Sequence, residues 1–208
     1  MHKQTPLEER LNVITHFIGV LFGCIAFFLL IYNQSNNVKW SLFSIFIYSI
    51  TIIILFTAST LYHWVTKPKL KHQFRVLDHI SIYLLIAGTY TPVCIIILQD
   101  SLGWYLLGLV WGIAVFGIIL KLFFTGKFEV FSTLLYLVMG WLIVFDFNNL
   151  SSNMGSGGIQ LLVIGGMAYT IGILFYAIEK IPFNHVIWHV FVLMGAYFHF
   201  LMMYKYVI

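Results

Sequence analysis

Apolar residues run along this chain in long uninterrupted blocks, separated by short clusters of turn-forming and charged residues. A helix rises about 1.5 Å per residue, so roughly 20 apolar residues cross the ~30 Å hydrocarbon layer of a bilayer. Seven blocks reach that length, at 12–32, 40–63, 77–98, 103–122, 130–149, 158–179 and 184–206. The breaks at 33–37, 66–71, 99–103, 125–127, 151–158 and 180–184 carry Asn, Ser, Gly, Pro and Lys, and none is long enough to hold a soluble domain. The pattern predicts an all-α fold, a seven-transmembrane helix bundle forming one domain over 1–208.

Composition strengthens that expectation. Hydrophobic residues make up 61% of the 208 and charged residues 9%, against about 25% charged in soluble domains. The net charge of +4 does not point to nucleic acid, because the basic residues sit in the short breaks, where anionic headgroups are the expected neighbours. Their distribution sets an orientation, since basic loops resist translocation. Lys3, Arg10, Lys67, Lys69, Lys71, Arg75, Lys121, Lys127 and Lys180 fall on one side, and only Lys39 and Lys205 on the other. The N-terminus is therefore expected in the cytoplasm and the C-terminus outside. The first block lacks an Ala-x-Ala-like cleavage site and reads as a retained span. Cys24 and Cys94 lie inside apolar blocks and give no disulfide framework. Gly19 with Gly23, and Gly108 with Gly112, have the spacing of close helix packing. Pro92 is expected to kink its span, with Thr89 and Thr91 available to bond the carbonyls it frees.

Eight histidines in so apolar a chain are the candidate chemistry, because ionisable side chains at membrane depth are costly and mark function. His63 ends the second block, His185 and His189 open the seventh, and all three fall at the cytoplasmic end of the predicted bundle. His185-Val186-Ile187-Trp188-His189 puts two imidazoles on one helix face, one turn apart. With His63 added, three imidazoles and an open fourth position form a known catalytic zinc arrangement, and nitrogen ligands suit Zn²⁺ better than Mg²⁺ or Ca²⁺. Val186 stands where a zincin has its glutamate, so another carboxylate must act as base. Asp78 is the candidate, placed at the start of the third span where helix amides favour an anion. It also reads as an ordinary helix-start residue or a partner of Arg75. Ser59, one turn before His63, lies within reach of a water or a substrate carbonyl, and alternatively bonds its own helix. His16 and His79 read either as partners that fix a ligand tautomer or as core histidines. His199 lies roughly 15 Å beyond His189 along the helix, too far to share a metal, and reads as an interior hydrogen-bonding residue. His2 and His72 read as solvated.

The segments Glu8-Glu9-Arg10-Leu11-Asn12-Val13-Ile14-Thr15-His16, Ser59-Thr60-Leu61-Tyr62-His63, Leu77-Asp78-His79 and His185-Val186-Ile187-Trp188-His189 resemble, in order and spacing, the bacterial hemolysin III proteins. Those proteins belong with the progestin and adipoQ receptor superfamily, which includes the adiponectin receptors. The resemblance implies seven transmembrane helices, a cytoplasmic N-terminus and a zinc ion near the cytoplasmic face. In receptor members three histidines hold that ion at positions matching His63, His185 and His189, and an aspartate matching Asp78 engages it through water. Those members resemble alkaline ceramidases, which hydrolyse a lipid amide.

The expected function is that of a zinc-dependent hydrolase acting on a lipid amide or ester in the cell membrane, or a regulator of membrane lipids derived from such an enzyme. Zinc is the expected cofactor, membrane lipids are the expected partners, and Asp78 and Ser59 are the expected catalytic residues. Two alternatives remain at this level. One is a pore-forming cytolysin, which needs polar residues through the full bilayer depth, where the outer half offers little beyond His199 and Asp146. The other is a sensor or receptor in which zinc serves only to stabilise the fold.

Overall fold

The computed structural model describes residues 4–35 and 38–208; His2 and Lys3 lie outside them. Every regular element among the described residues is helical. The first helix, α1 (Pro6–Asn33), starts at a capping box in which Thr5 Oγ1 accepts from the Glu8 amide and Glu8 accepts from the Thr5 amide at 2.7 Å. Pro6 at the first helical position loses no hydrogen bond there. Then follow α2 (Ser41–Trp64), α3 (Pro68–Pro92), α4 (Gly103–Phe124), α5 (Glu129–Trp141), α6 (Phe147–Ala177) and α7 (Asn184–Met202). The chain forms a π turn after α3 (Val93–Ile97), a 3₁₀ turn after α5 (Leu142–Asp146) and a second π turn after α7 (Met203–Val207).

Six stretches are long and apolar enough to cross a membrane, and one of them, Glu129–Ala177, spans 49 residues and holds both the fifth and the sixth expected blocks. It is not one rod. Trp141 Nε1 donates to Thr170 Oγ1 at 3.2 Å, although a straight helix would separate these residues by about 43 Å. The chain therefore doubles back between them. Midway lies Gly155, at φ 72° and ψ 169° inside the run assigned to α6, a backbone region essentially closed to residues with a Cβ. A Cβ there would meet no neighbour, so the backbone conformation, not packing, requires glycine.

Packing at glycines draws the helices together. A Cβ at Gly19 would strike the Phe56 ring and one at Gly23 would press on Ile52 and Ile53, so α1 lies close against α2. Gly108 and Gly112 differ from expectation: nothing lies within 4 Å of either added Cβ, so their face of α4 is not a helix contact. The freed-carbonyl expectation at Pro92 also fails, because Thr89 and Thr91 donate to Leu85 O and Ala87 O, each four residues back along its own helix. The helix passes through Pro92 and widens into the π turn, which absorbs the ring without a sharp break.

Large apolar side chains such as Phe28, Leu122, Phe123 and Phe145 face outward, while histidine, asparagine and serine are buried. This inside-out distribution suits a bundle whose solvent is lipid. Polar networks cluster at the two ends. At one end Glu129 receives Lys121 Nζ at 2.7 Å, the Gly126 amide at 3.0 Å and Arg75 Nη2 at 3.5 Å. At the other, Asp146 accepts from Ser101 Oγ, the Leu102 amide and Asn149 Nδ2 at 2.6, 2.9 and 2.7 Å.

Candidate metal centre

His63 comes from the last turn of α2, and His185 and His189 come from the first turns of α7. The bundle brings the three together: their ring centroids lie 4.6 to 5.1 Å apart, and one nitrogen of each lies within 4.8 Å of the other two. Such spacing closes on a common centre at the 2.0–2.1 Å of a zinc–imidazole bond with small ring rotations.

Hydrogen bonds at the rings' outer edges decide which nitrogens are offered. Glu9 Oε2 lies 2.7 Å from His63 Nδ1, and Lys71 Nζ donates to Glu9 Oε1 at 2.8 Å. A carboxylate only accepts, so His63 carries its proton on Nδ1 and presents the Nε2 lone pair inward. His63 Nε2 and His185 Nε2 are both buried without a partner among the described residues. Thr15 Oγ1, whose own proton is directed to a carbonyl of its helix, sits 3.4 Å from His189 Nδ1 and orients that ring similarly. Buried orphan acceptors are costly, and converging imidazole nitrogens with no protein partner fit the donor set of a zinc ion.

Of the residues expected to fix tautomers, neither His16 nor His79 does so. His16 lies flat on His189, with centroids 3.5 Å apart and planes 11° apart, and both its nitrogens are unpartnered among the described residues. His79 Nδ1 stands 3.8 Å from Glu129. Glu9 and Thr15 do the orienting instead. The sequence carried a signal for Glu9: Thr5-x-x-Glu8 assigns Glu8 to the cap and leaves Glu9 on one face with Asn12 and His16, at i, i+3 and i+7.

A cavity of about 30 Å³ adjoins the imidazoles, enough for a water molecule or two. Its lining includes Ser59, Asp78, His16, His185, His189 and Tyr176. Ser59 Oγ is buried with no partner at ordinary hydrogen-bond distance among the described residues, and Asp78 has His63 as an electrostatic neighbour and Ser59 as a looser hydrogen-bonding one. Asp78 does not sit at a helix start, because α3 begins at Pro68; the helix start invoked from sequence is nearly three turns away, and its setting comes from the cavity. A second cavity, about 120 Å³ and mostly apolar, runs between α3, α5, α6 and α7 toward His199. The two share Leu55, Ile82, Tyr136, Tyr176, Trp188 and Val192 as walls. His72 is exposed on the outside of α3.

Residues 4–200 match the family model described as haemolysin-III related. The chain is 45% identical over 190 residues to Hemolysin-3 of Bacillus cereus, covering 91% of this chain and 87% of that protein. It is 43% identical over 193 residues to the Hemolysin-3 homolog of Bacillus subtilis (strain 168), covering 92% and 91%. The similarity extends to the human monocyte to macrophage differentiation factor, at 30% identity over 214 residues, 99% of this chain and 87% of that one.

Proposed function

The chain belongs to the haemolysin-III-related family and is a multi-pass protein of the cell membrane; on that premise we propose that it is a zinc-dependent hydrolase of a lipid amide or ester, or a lipid regulator derived from one. The observation that carries the reading is the meeting of three imidazoles, two of them buried, beside a small cavity that shares its walls with a larger apolar one.

His63, His185 and His189 hold the ion, with Glu9 and Thr15 fixing two of the rings. Bound zinc supplies Lewis acidity toward a carbonyl oxygen and lowers the pKa of water. Asp78 takes the proton of a water in the small cavity and returns it to the departing amine or alkoxide. Ser59 Oγ, beside Asp78, donates to the carbonyl oxygen as charge builds on it. The apolar cavity receives a hydrocarbon chain and keeps bulk water from the reacting carbonyl.

Wild-type protein loaded with zinc and placed in liposomes containing ceramide and glycerolipids is expected to release free fatty acid, detected by mass spectrometry, while trapped dye stays inside. Dye release without fatty acid would favour the pore reading. That reading has little support in the bundle, since all three donors around Asp146 serve the turn before α4 and the start of α6. Neither fatty acid nor dye release from the zinc-loaded protein would leave the regulator.

The reversal at Gly155 supports seven crossings in one domain, because each leg of the 49-residue stretch is of bilayer length. Together with the nine basic residues at one set of loops, this supports a reading with the N-terminus and the imidazoles on the cytoplasmic side. Cysteines introduced at Lys69 and Ile208, after removal of Cys24 and Cys94, are expected to label from opposite sides of sealed vesicles. Labelling of both from one side would require an even number of crossings.

A further inference from the structure

Several polar groups along the apolar cavity are engaged. Thr89, Thr133 and Thr170 donate to Leu85 O, Glu129 O and Gly166 O. Tyr90 donates to Gly140 O and accepts from the Ile143 amide. Tyr176 and Trp188, nearer the imidazoles, make no hydrogen bond among the described residues, and a second pair stands together at the deep end. His199 Nδ1 lies 2.8 Å from Gly195 O; a carbonyl only accepts, so Nδ1 carries the proton and Nε2 is a bare acceptor. No residue among those described bonds that Nε2, nor the hydroxyl of Tyr169, whose ring stacks on His199 at 5.5 Å and 22°. Both residues line the cavity.

This ring pair is seated, not incidental. A Cβ at Gly165 would strike the His199 imidazole, and one at Gly195 would strike the Tyr169 ring. Two glycines thus make room for two polar rings whose free atoms have no protein partner. Tyr48, also close enough to Tyr169 to act on it electrostatically, adds a further buried hydroxyl without a partner among the described residues. In the middle of a bilayer no solvent is available to satisfy such groups.

We propose that the deep end of this cavity is a subsite for a hydroxyl group carried on the hydrocarbon chain of a lipid, donating to His199 Nε2 and accepting from Tyr169. The inference rests on the reading that a lipid chain fills the cavity, and it adds which chain. Ten residues of α7 separate His199 from His189, so the hydroxyl sits roughly 15 Å from a carbonyl at the imidazoles, near the middle of a long acyl chain.

The test compares binding of 12-hydroxyoctadecanoate, 2-hydroxyoctadecanoate and octadecanoate to the full chain in nanodiscs, by native mass spectrometry. The 12-hydroxy chain is expected to bind about tenfold more tightly than the other two, as suits two neutral hydrogen bonds made in a dry site. Tyr169→Phe, which removes one oxygen and keeps the ring, should cut that preference severalfold while leaving octadecanoate binding unchanged. His199→Leu should abolish the preference and His199→Gln, which keeps an acceptor, should retain part of it; if His199→Leu fails to fold, Tyr169→Phe decides. Equal binding of 12-hydroxyoctadecanoate and octadecanoate to the wild type, or a preference that survives Tyr169→Phe undiminished, overturns the subsite and leaves the lipid-chain reading intact. Binding of none of the three overturns both.

Discussion

Protein in which His63, His185 and His189 are all replaced by alanine is expected to purify without zinc and to melt about 5–10 °C below the wild type. The size follows from linkage. A ligand present at a hundred times its dissociation constant stabilises the state that binds it by about 2.7 kcal/mol, and a chain of this length shifts by about 2–4 °C per kcal/mol. Zinc suits the comparison because its ligands come from α2 and α7, so that losing it also loosens the contact between them. Glu9→Gln is expected to fall between. It leaves all three imidazoles in place but weakens the acceptor that holds the His63 proton on Nδ1, a change of the kind that lowers metal affinity about 10- to 100-fold. His72→Ala, on the exposed side of α3, should change neither quantity. Elemental analysis alongside a thermal melt reads all of these, and full zinc occupancy in the triple variant would remove the site.

Asp78→Asn should part the metal from the chemistry. Asparagine has nearly the shape of aspartate but cannot take a proton from water, so zinc content and melting temperature should match the wild type while fatty acid release falls about 10²- to 10⁴-fold. Ser59→Ala should retain the metal as well and lose about 10²- to 10³-fold, the usual cost of one oxyanion donor. Ser59 has Asp78 as its hydrogen-bonding neighbour, so a melt of Ser59→Ala beside that of the wild type separates a rate loss from a loss of stability. Zinc missing from Asp78→Asn would instead make Asp78 a ligand.

The parts of this fold and site that were legible in the sequence are those set by local pattern. Apolar block length located the helices to within a few residues at most ends: α2 runs Ser41–Trp64 where 40–63 was expected. The i, i+4 spacing of His185 and His189 gave their shared face, and the depth argument brought His63 to them. What escaped depends on contacts between distant segments. Glu9 looks like any acid in a first turn until Lys71 and His63 close on it, and α3 starts nine residues before its apolar block because Pro68 begins a helix whose first turns are polar and exposed. Small-residue spacing marked Gly108 and Gly112 as firmly as Gly19 and Gly23, yet only the second pair has a helix against it. Sequence alone does not say which face of α4 has a neighbour.

The sharing of the imidazoles between α2 and α7 also bears on how the bundle is made. A ribosome delivers His63 early, and its two companions follow more than one hundred residues later. Until they arrive, the His63 ring is held by Glu9 of α1, itself clasped by Lys71 of α3. The centre therefore closes last, and a nascent chain that stalls before α7 exposes a lone buried-type imidazole with its carboxylate clasp already fastened. A metal held by these three rings would be captured only when the polypeptide is complete, so a half-built bundle would be chemically distinguishable from a finished one to whatever surveys the membrane for incomplete proteins.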